Sequence, residues 1–315
     1  MSNKRKIVVI TGPTAVGKSA LAVELAAPIA GEIINADSMQ VYRGMDIGTA
    51  KPPVQERDTI PHHLLDIVNP DDAFNAAIYR SLAVPVIEEI SRRGHLPFAV
   101  GGTGLYIKTL LGGLFHCPAS DPGLRERLNR ESDKQGLESL FGRLCALDPD
   151  AAQKIHPHDK VRILRALEVI ELTQTPYSVL ASKHRFRDRP FVSLKICLQM
   201  NRQDLYDRIN RRCERMIEQG LIAETEALLS KGYSPVLKPM KSLGYRHAVK
   251  VLQGDWDADK ALKKLQTDTR RYAKRQLTWF RADSQCVWYE PKEKQRILEE
   301  IRHFLDAGNN REGDL

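Results

Sequence analysis

Gly12-Pro13-Thr14-Ala15-Val16-Gly17-Lys18-Ser19 decides how the rest of this 315-residue chain is read. It follows the apolar run Ile7-Val8-Val9-Ile10 and precedes Ala20-Leu21-Ala22-Val23-Glu24-Leu25, whose apolar spacing is helical. Strand, G-x-x-x-x-G-K-S and helix, in that order, predict a phosphate loop. The glycines let successive N–H groups turn into one concavity, and the helix N-terminus adds positive potential. Lys18 would neutralise terminal phosphate oxygens, and the Ser19 hydroxyl can ligate Mg²⁺. A glycine turn that merely joins strand to helix is the bland alternative, and both flanks argue against it. The loop calls for a phosphorylated ligand without saying which.

Composition narrows the class. Apolar residues make up 42% and charged residues 28% of the chain, ordinary values for a soluble protein, and its length predicts two domains or one domain with a large insertion. No apolar run nears the roughly 18 residues that span a bilayer. The N-terminal Met1-Ser2-Asn3-Lys4-Arg5-Lys6 leads straight into a core strand, which does not read as a signal peptide. The five cysteines, Cys117, Cys145, Cys197, Cys213 and Cys286, lack C-x-x-C spacing and read as reduced cytosolic thiols. Charge is unevenly placed. Residues 1–116 hold 11 basic and 11 acidic side chains, so the rest carries the whole net charge of +8. A neutral phosphate-binding half joined to a basic half suggests a small phosphorylated substrate and a polyanionic partner; a solvated basic surface is the other reading.

Along the chain, Gly31–Asn35 reads as a second strand ending in Ala36-Asp37-Ser38-Met39-Gln40. Ligands of open α/β sheets bind outside the carboxyl ends of the strands, so Asp37, Ser38 and Gln40 should lie near the phosphate loop. Asp37 is a candidate base or metal ligand, or else a cap on the following turn. Residues 43–53 look like a loop over the strand ends. His62–Val68 reads as a third strand, on which His62 and His63 alternate faces and do not jointly chelate a metal. A helix over 75–93 closes at Gly94, and Pro97–Val100 runs into Gly101-Gly102-Thr103-Gly104, whose glycines permit close approach to a ligand. From Asp121 to Arg189 the pattern is helical and charged, as in an insertion. Within it, Arg162 and Arg165 share a helix face and could grip pyrophosphate or nucleic acid, or else pair with Glu168. A returning strand over 191–198 precedes a helical segment from Arg202 to Lys231 that carries Arg208, Arg211, Arg212 and Arg215. The helix over 257–281 mixes Lys274, Arg275, Gln276, Trp279 and Arg281, which suits a nucleic-acid backbone with stacked bases, although Trp279 also fits a core.

These segments resemble one family, the tRNA dimethylallyltransferases, also called tRNA isopentenyltransferases. The resemblance is carried by residues 12–19, 37–52, 61–63, 101–106, 156–168, 243–246 and 273–281, in family order over nearly the whole chain. The zinc-finger extension of the eukaryotic members is missing, as in the bacterial form. The implied fold is α/β: a P-loop NTPase-like parallel sheet core over 1–118 and 190–315, with a helical insertion domain over 119–189 that contacts tRNA. The implied reaction moves a dimethylallyl group from dimethylallyl diphosphate to the exocyclic amine of the adenosine just 3′ of the anticodon. Gly12 to Ser19 would hold the diphosphate with Mg²⁺ on Ser19, Lys18 would stabilise the leaving group, and Thr103 would stand close to the reacting centre. Similarity gives Asp37 the proton of the adenine amine. The anticodon stem-loop would touch Asp37, Ser38, Met39, Gln40, Thr103 and Arg125. It would also touch Val161, Arg162, Ile163, Leu164 and Arg165; Lys241, Ser242, Leu243, Gly244, Tyr245 and Arg246; and Lys274, Arg275, Gln276, Trp279 and Arg281. A monomer is expected, since no apolar seam stands out, and the cysteine usage points to the cytoplasm.

Three rivals share some of these features. A small-molecule kinase would use the same loop and a following acid with ATP and magnesium. A prenyl transferase acting on free AMP or ATP has no need of the basic half. A non-catalytic RNA-binding protein leaves the phosphate loop unexplained.

Overall fold

A computed structural model describes residues 4–114, 118, 120–184 and 188–307, so Cys117 and the last eight residues lie outside it. The chain opens with β1 (Lys6–Thr11), α1 (Lys18–Ala26) and β2 (Gly31–Asn35). A long loop then carries the single-turn α2 (Val54–Arg57) to β3 (His62–His63), followed by α3 (Ala76–Arg92), β4 (Leu96–Val100) and α4 (Gly104–Gly112). Helices α5 (Pro122–Gln135), α6 (Leu137–Leu147), α7 (Pro149–Ala152), α8 (Lys160–Thr173) and α9 (Tyr177–His184) come next. The chain returns through β5 (Val192–Leu198), α10 (Arg202–Glu218), α11 (Leu221–Ser230), α12 (Tyr245–Leu252) and α13 (Ala258–Arg281). It closes with β6 (Cys286–Tyr289) and α14 (Lys294–Asp306). The described residues up to Leu111 and from Pro190 onward form one compact unit, and Gly112–Arg189 form a second.

The sheet runs β3-β2-β4-β1-β5-β6, and every neighbouring pair is parallel. Parallel sheets are covered on both faces, so their strands read as unbroken apolar runs. Ile7, Val8, Val9 and Ile10 are accordingly all fully buried. From β1 the chain builds the sheet to one side, then recrosses to add β5 and β6 on the other. The carboxyl end of β1 therefore sits at the topological switch, where such sheets open a crevice. The phosphate loop leaves from that end, and Asp37 and Gly101 follow the matching ends of β2 and β4.

Local chemistry sets most boundaries. Asn75 caps α3 by accepting hydrogen bonds from the N–H groups of Ala77 (2.9 Å) and Ile78 (3.1 Å). Two expected elements are shorter than the pattern suggests. The third strand ends at His63, because Leu64 and Asp66 turn into the left-handed region with φ of 63° and 55°. The helical segment over 202–231 breaks into α10 and α11 at Gly220, where φ is 99°.

The cysteine reading is also corrected. Cys197 and Cys286 stand on paired strands with Cα atoms 5.6 Å apart and form a disulfide. Their separation of 89 residues hides that pairing from any spacing rule. Cys145 and Cys213 are free thiols. The second unit has its own core of Leu128, Leu140, Leu144, Ile163, Leu164 and Leu167.

Candidate active site

The phosphate loop is shaped by what surrounds it. Gly12 has φ of 138°, and a Cβ there would run into the backbone of Leu198 at the end of β5. Lys18 donates to the carbonyls of Gly12 (3.1 Å) and Pro13 (2.7 Å), so its ammonium folds back over the loop. Burial brings its pKa down to about 7, Asp37 opposing and Arg212 adding to the shift. The first-turn N–H groups of α1 have no acceptor within their own helix and are free for an anion.

Asp37 is held by its neighbours. The side chain of Asn35 accepts from the Asp37 N–H (3.0 Å) and donates to the Asp37 carbonyl (3.1 Å) and to that of Leu64 (3.1 Å). Asp37 Oδ1 accepts from the Met39 N–H at 2.8 Å, while Oδ2 has no hydrogen-bond partner among the described residues. One oxygen is thus committed to the turn and the other is open. The bond to the Met39 N–H meets the cap reading of Asp37 and leaves its second oxygen available.

Thr103 stitches two loops together. Its Oγ1 accepts from the Ser38 N–H (3.0 Å), and its own N–H donates to the Ala36 carbonyl (3.2 Å). An accepting hydroxyl keeps its proton to give elsewhere. The glycines beside it serve protein packing: a Cβ on Gly101 would meet the Ala36 carbonyl, on Gly102 the Gln276 amide, and on Gly104 the Trp279 ring. Gly102 and Gly104 thus admit the close approach of α13, and Gly101 lines the cavity between the loops.

The loop after β2 is clamped at its far end. Lys51 is buried and reaches Asp46 (2.6 Å), Asp66 (2.5 Å) and the Tyr42 carbonyl (2.8 Å), and Arg57 joins Asp66 at 2.8 Å. Glu224 of α11 accepts from the N–H groups of Asp46, Ile47 and Gly48 and from the Tyr245 hydroxyl at 2.6 Å. Gln40 donates to the carbonyls of Thr49 (3.3 Å) and Ala50 (3.2 Å).

Between these loops lies a cavity of about 500 Å³. Its walls carry Lys18, Arg208, Arg212 and Arg215 against Asp37 and Glu56, with Ser19 and Tyr272 beside them. Arg208 donates to the Val16 carbonyl (3.2 Å) and Arg212 to that of Thr49 (3.4 Å). None of these three arginines has a carboxylate within ion-pair distance among the described residues. Burial lowers the pKa of Arg212, with Asp37 opposing, and raises that of Tyr272, with Asp37 assisting. The field of Asp37 therefore reaches the same groups that would face an anion. The arginines of α10 were visible in the sequence only as a broad basic side. Their 208, 212, 215 spacing, which places them on one helix face, was the available signal.

A family model described as IPP transferase matches residues 40–283, and one described as isopentenyl transferase matches residues 5–66. The chain belongs to the IPP transferase family. It is 50% identical over 302 residues to a tRNA dimethylallyltransferase of Geobacter metallireducens, covering 96% of this chain and 98% of that one. A tRNA dimethylallyltransferase of Geobacter sulfurreducens is 51% identical over 288 residues, 91% of this chain and 93% of its own. Among solved structures, a full-length tRNA isopentenylpyrophosphate transferase of Bacillus halodurans aligns with a TM-score of 0.74 and 40% identity. That alignment covers 98% of this chain and 99% of the other. A eukaryotic dimethylallyltransferase caught acting on tRNA aligns with a TM-score of 0.75 and 31% identity, over 87% of this chain and 69% of its own.

The residues that the family pattern sets against tRNA do not share one environment. Val161 and Arg162 are exposed, whereas Ile163 and Leu164 belong to the core of the second unit. Arg165 and Arg125 are tied to the buried carboxylate of Glu168 at 2.6 and 3.2 Å. Lys241 and Arg246 are exposed, Ser242 and Leu243 are half-buried, and Gly244 and Tyr245 are buried. On α13, Lys274, Arg275 and Arg281 are exposed, and Trp279 is 40% exposed with the Lys108 ammonium 6.0 Å from its ring centre. Gln276 differs from them. Its amide accepts from the Thr14 N–H (2.8 Å) and donates to the Gly102 carbonyl (2.9 Å), so it braces the phosphate loop from inside.

Proposed function

We propose that this chain moves the dimethylallyl group of dimethylallyl diphosphate onto N6 of the adenosine 3′ to the anticodon, in tRNAs reading codons that begin with U. We take it to act as a cytoplasmic monomer; among the described residues no helix is long and apolar enough to cross a membrane. One observation carries the reading: Asp37, with an uncommitted oxygen, shares a single cavity with Lys18 and three unpaired arginines. A base and an anion cradle facing one space suit a reaction that removes a proton at one end and releases diphosphate at the other.

The N6–carbon bond forms as the allylic carbon–oxygen bond breaks. The electron pair of the broken bond leaves on diphosphate, where the loop N–H groups, Lys18, Arg208 and Arg212 neutralise it. The amine, whose lone pair is conjugated into the ring, gives up its proton to Asp37. Thr103, fixed by the Ser38 N–H, has a hydroxyl proton for a donor oxygen near the reacting centre. The adenine must leave its stack to reach this cavity, and Trp279 with Lys108 offers an exposed ring and a cation for neighbouring bases.

Magnesium fits the donor set. The Ser19 hydroxyl is a hard oxygen lining the same cavity as the Asp37 carboxylate, and Mg²⁺ keeps most of its shell from phosphates and water. When bound there it would offset charge on the diphosphate.

Incubation with tRNA, Mg²⁺ and labelled dimethylallyl diphosphate tests the proposal. Label should enter tRNA without ATP. Label absent from tRNA, together with ATP consumed on a small acceptor, would replace it with the kinase.

A further inference from the structure

Helix α10 carries its arginines past the cavity just described. A second, more open cavity of about 550 Å³ lies outside it, lined by Arg208, Arg211, Glu214, Arg215 and Glu218. Arg208 and Arg215 form a wall common to both spaces, and Arg211 lines only the outer one.

The outer arginines have few partners. Arg208 uses one N–H on the Val16 carbonyl, Arg211 one on that of Asp207 (3.4 Å), and Arg215 one on that of Arg211 (3.4 Å). Helical spacing offers Arg211 to Glu214 and Arg215 to Glu218, yet neither pair closes. Glu214 instead accepts through Oε1 from the Gln266 amide at 3.1 Å. Elsewhere in the molecule the same spacing does close, as in Arg92–Glu89 and Arg165–Glu168. Each guanidinium has five N–H donors, so most of the hydrogen-bonding capacity of this wall is unspent. With three guanidiniums against two carboxylates that, among the described residues, pair with none of them, the lining is net positive and draws in anions.

We propose that this outer cavity is an anion vestibule: it captures the diphosphate of the incoming donor and hands it along Arg208 and Arg215 to the phosphate loop. The proposal rests on the donor assigned above. Diphosphate is favoured over an RNA backbone because the shared wall leads inward, Arg208 being hydrogen-bonded to the phosphate loop itself.

Arg211→Glu tests this, with Arg211→Lys as the conservative variant. At low ionic strength kcat/KM for dimethylallyl diphosphate should fall about tenfold in Arg211→Glu, the low end of electrostatic steering effects. The gap should narrow as salt rises, the lysine variant should stay near wild type, and KM for tRNA should not move. An unchanged donor kcat/KM and salt slope would overturn the vestibule, and so would a loss confined to KM for tRNA. The association rate of inorganic diphosphate, measured by stopped flow, decides the matter without the transfer reaction. A slower rate in Arg211→Glu supports the vestibule even if no label reaches tRNA, and an equal rate refutes it.

Discussion

Two groups of arginines in this protein have the same charge and opposite fates. In the second unit, Arg125 and Arg165 share Glu168, Arg127 and Arg143 share Glu131 and Glu171, and Arg162 meets Asp159. On α10, Arg208, Arg211, Arg212 and Arg215 bond, among the described residues, only to backbone carbonyls. A guanidinium locked on a carboxylate organises its own fold, and its field is largely cancelled. One left on carbonyl oxygens keeps its full charge for a ligand. Net charge therefore says little about where an anion binds until the pairing is known.

The largest effect expected from disturbing this division comes from Asp37, the open carboxylate facing the unpaired set. Asp37→Ala should lower transfer by about 10³-fold, within the span of general-base effects, and leave tRNA retention on a filter unchanged. Arg212→Gln should cost about 10²-fold in donor kcat/KM, as when a donor to developing charge is removed. Arg165→Gln, a paired arginine, should instead change thermal stability and leave donor kcat/KM alone; equal kinetic losses in the two variants would erase the distinction. Glu168→Gln should destabilise the folded chain by about 3 kcal/mol in denaturant melts, because two guanidiniums lose their shared acid.

The smallest effect concerns protons. Free Lys18 is half-charged near pH 7, and an adjacent diphosphate favours the ammonium. At pH 8, binding of diphosphate should take up about one proton more in wild type than in Lys18→Met. At pH 6, where the ammonium is already present, that excess should vanish. Calorimetry in buffers of different ionisation enthalpy reads both.

What the chain revealed of itself follows the range of its interactions. The phosphate loop, Asp37 after β2, the cap at Asn75 and the span of α13 are written in neighbouring residues, and local patterns were enough. The pairing of Arg165 with Glu168 was legible as one of two options, three residues apart. Other features depend on distant parts of the chain. The disulfide joins strands 89 residues apart, and the end of β3 depends on two non-glycine residues turning left-handed. Nothing in the spacing of α10 shows that Glu214 bonds to Gln266 and not to Arg211. Gln276 was the sharpest case: it sits in a basic, aromatic run that reads as RNA contact, yet its side chain faces inward.

That glutamine also sets a timetable. The Thr14 N–H and the Gln276 carbonyl oxygen that receives it are 262 residues apart. During synthesis the loop leaves the ribosome well before its brace, which is made 262 residues later. Until α13 docks, the Thr14 N–H and the Gly102 carbonyl both lack the Gln276 amide. A chain made only as far as α12 thus carries the phosphate-binding sequence without a finished cradle, and the site is completed once α13 is made and docks.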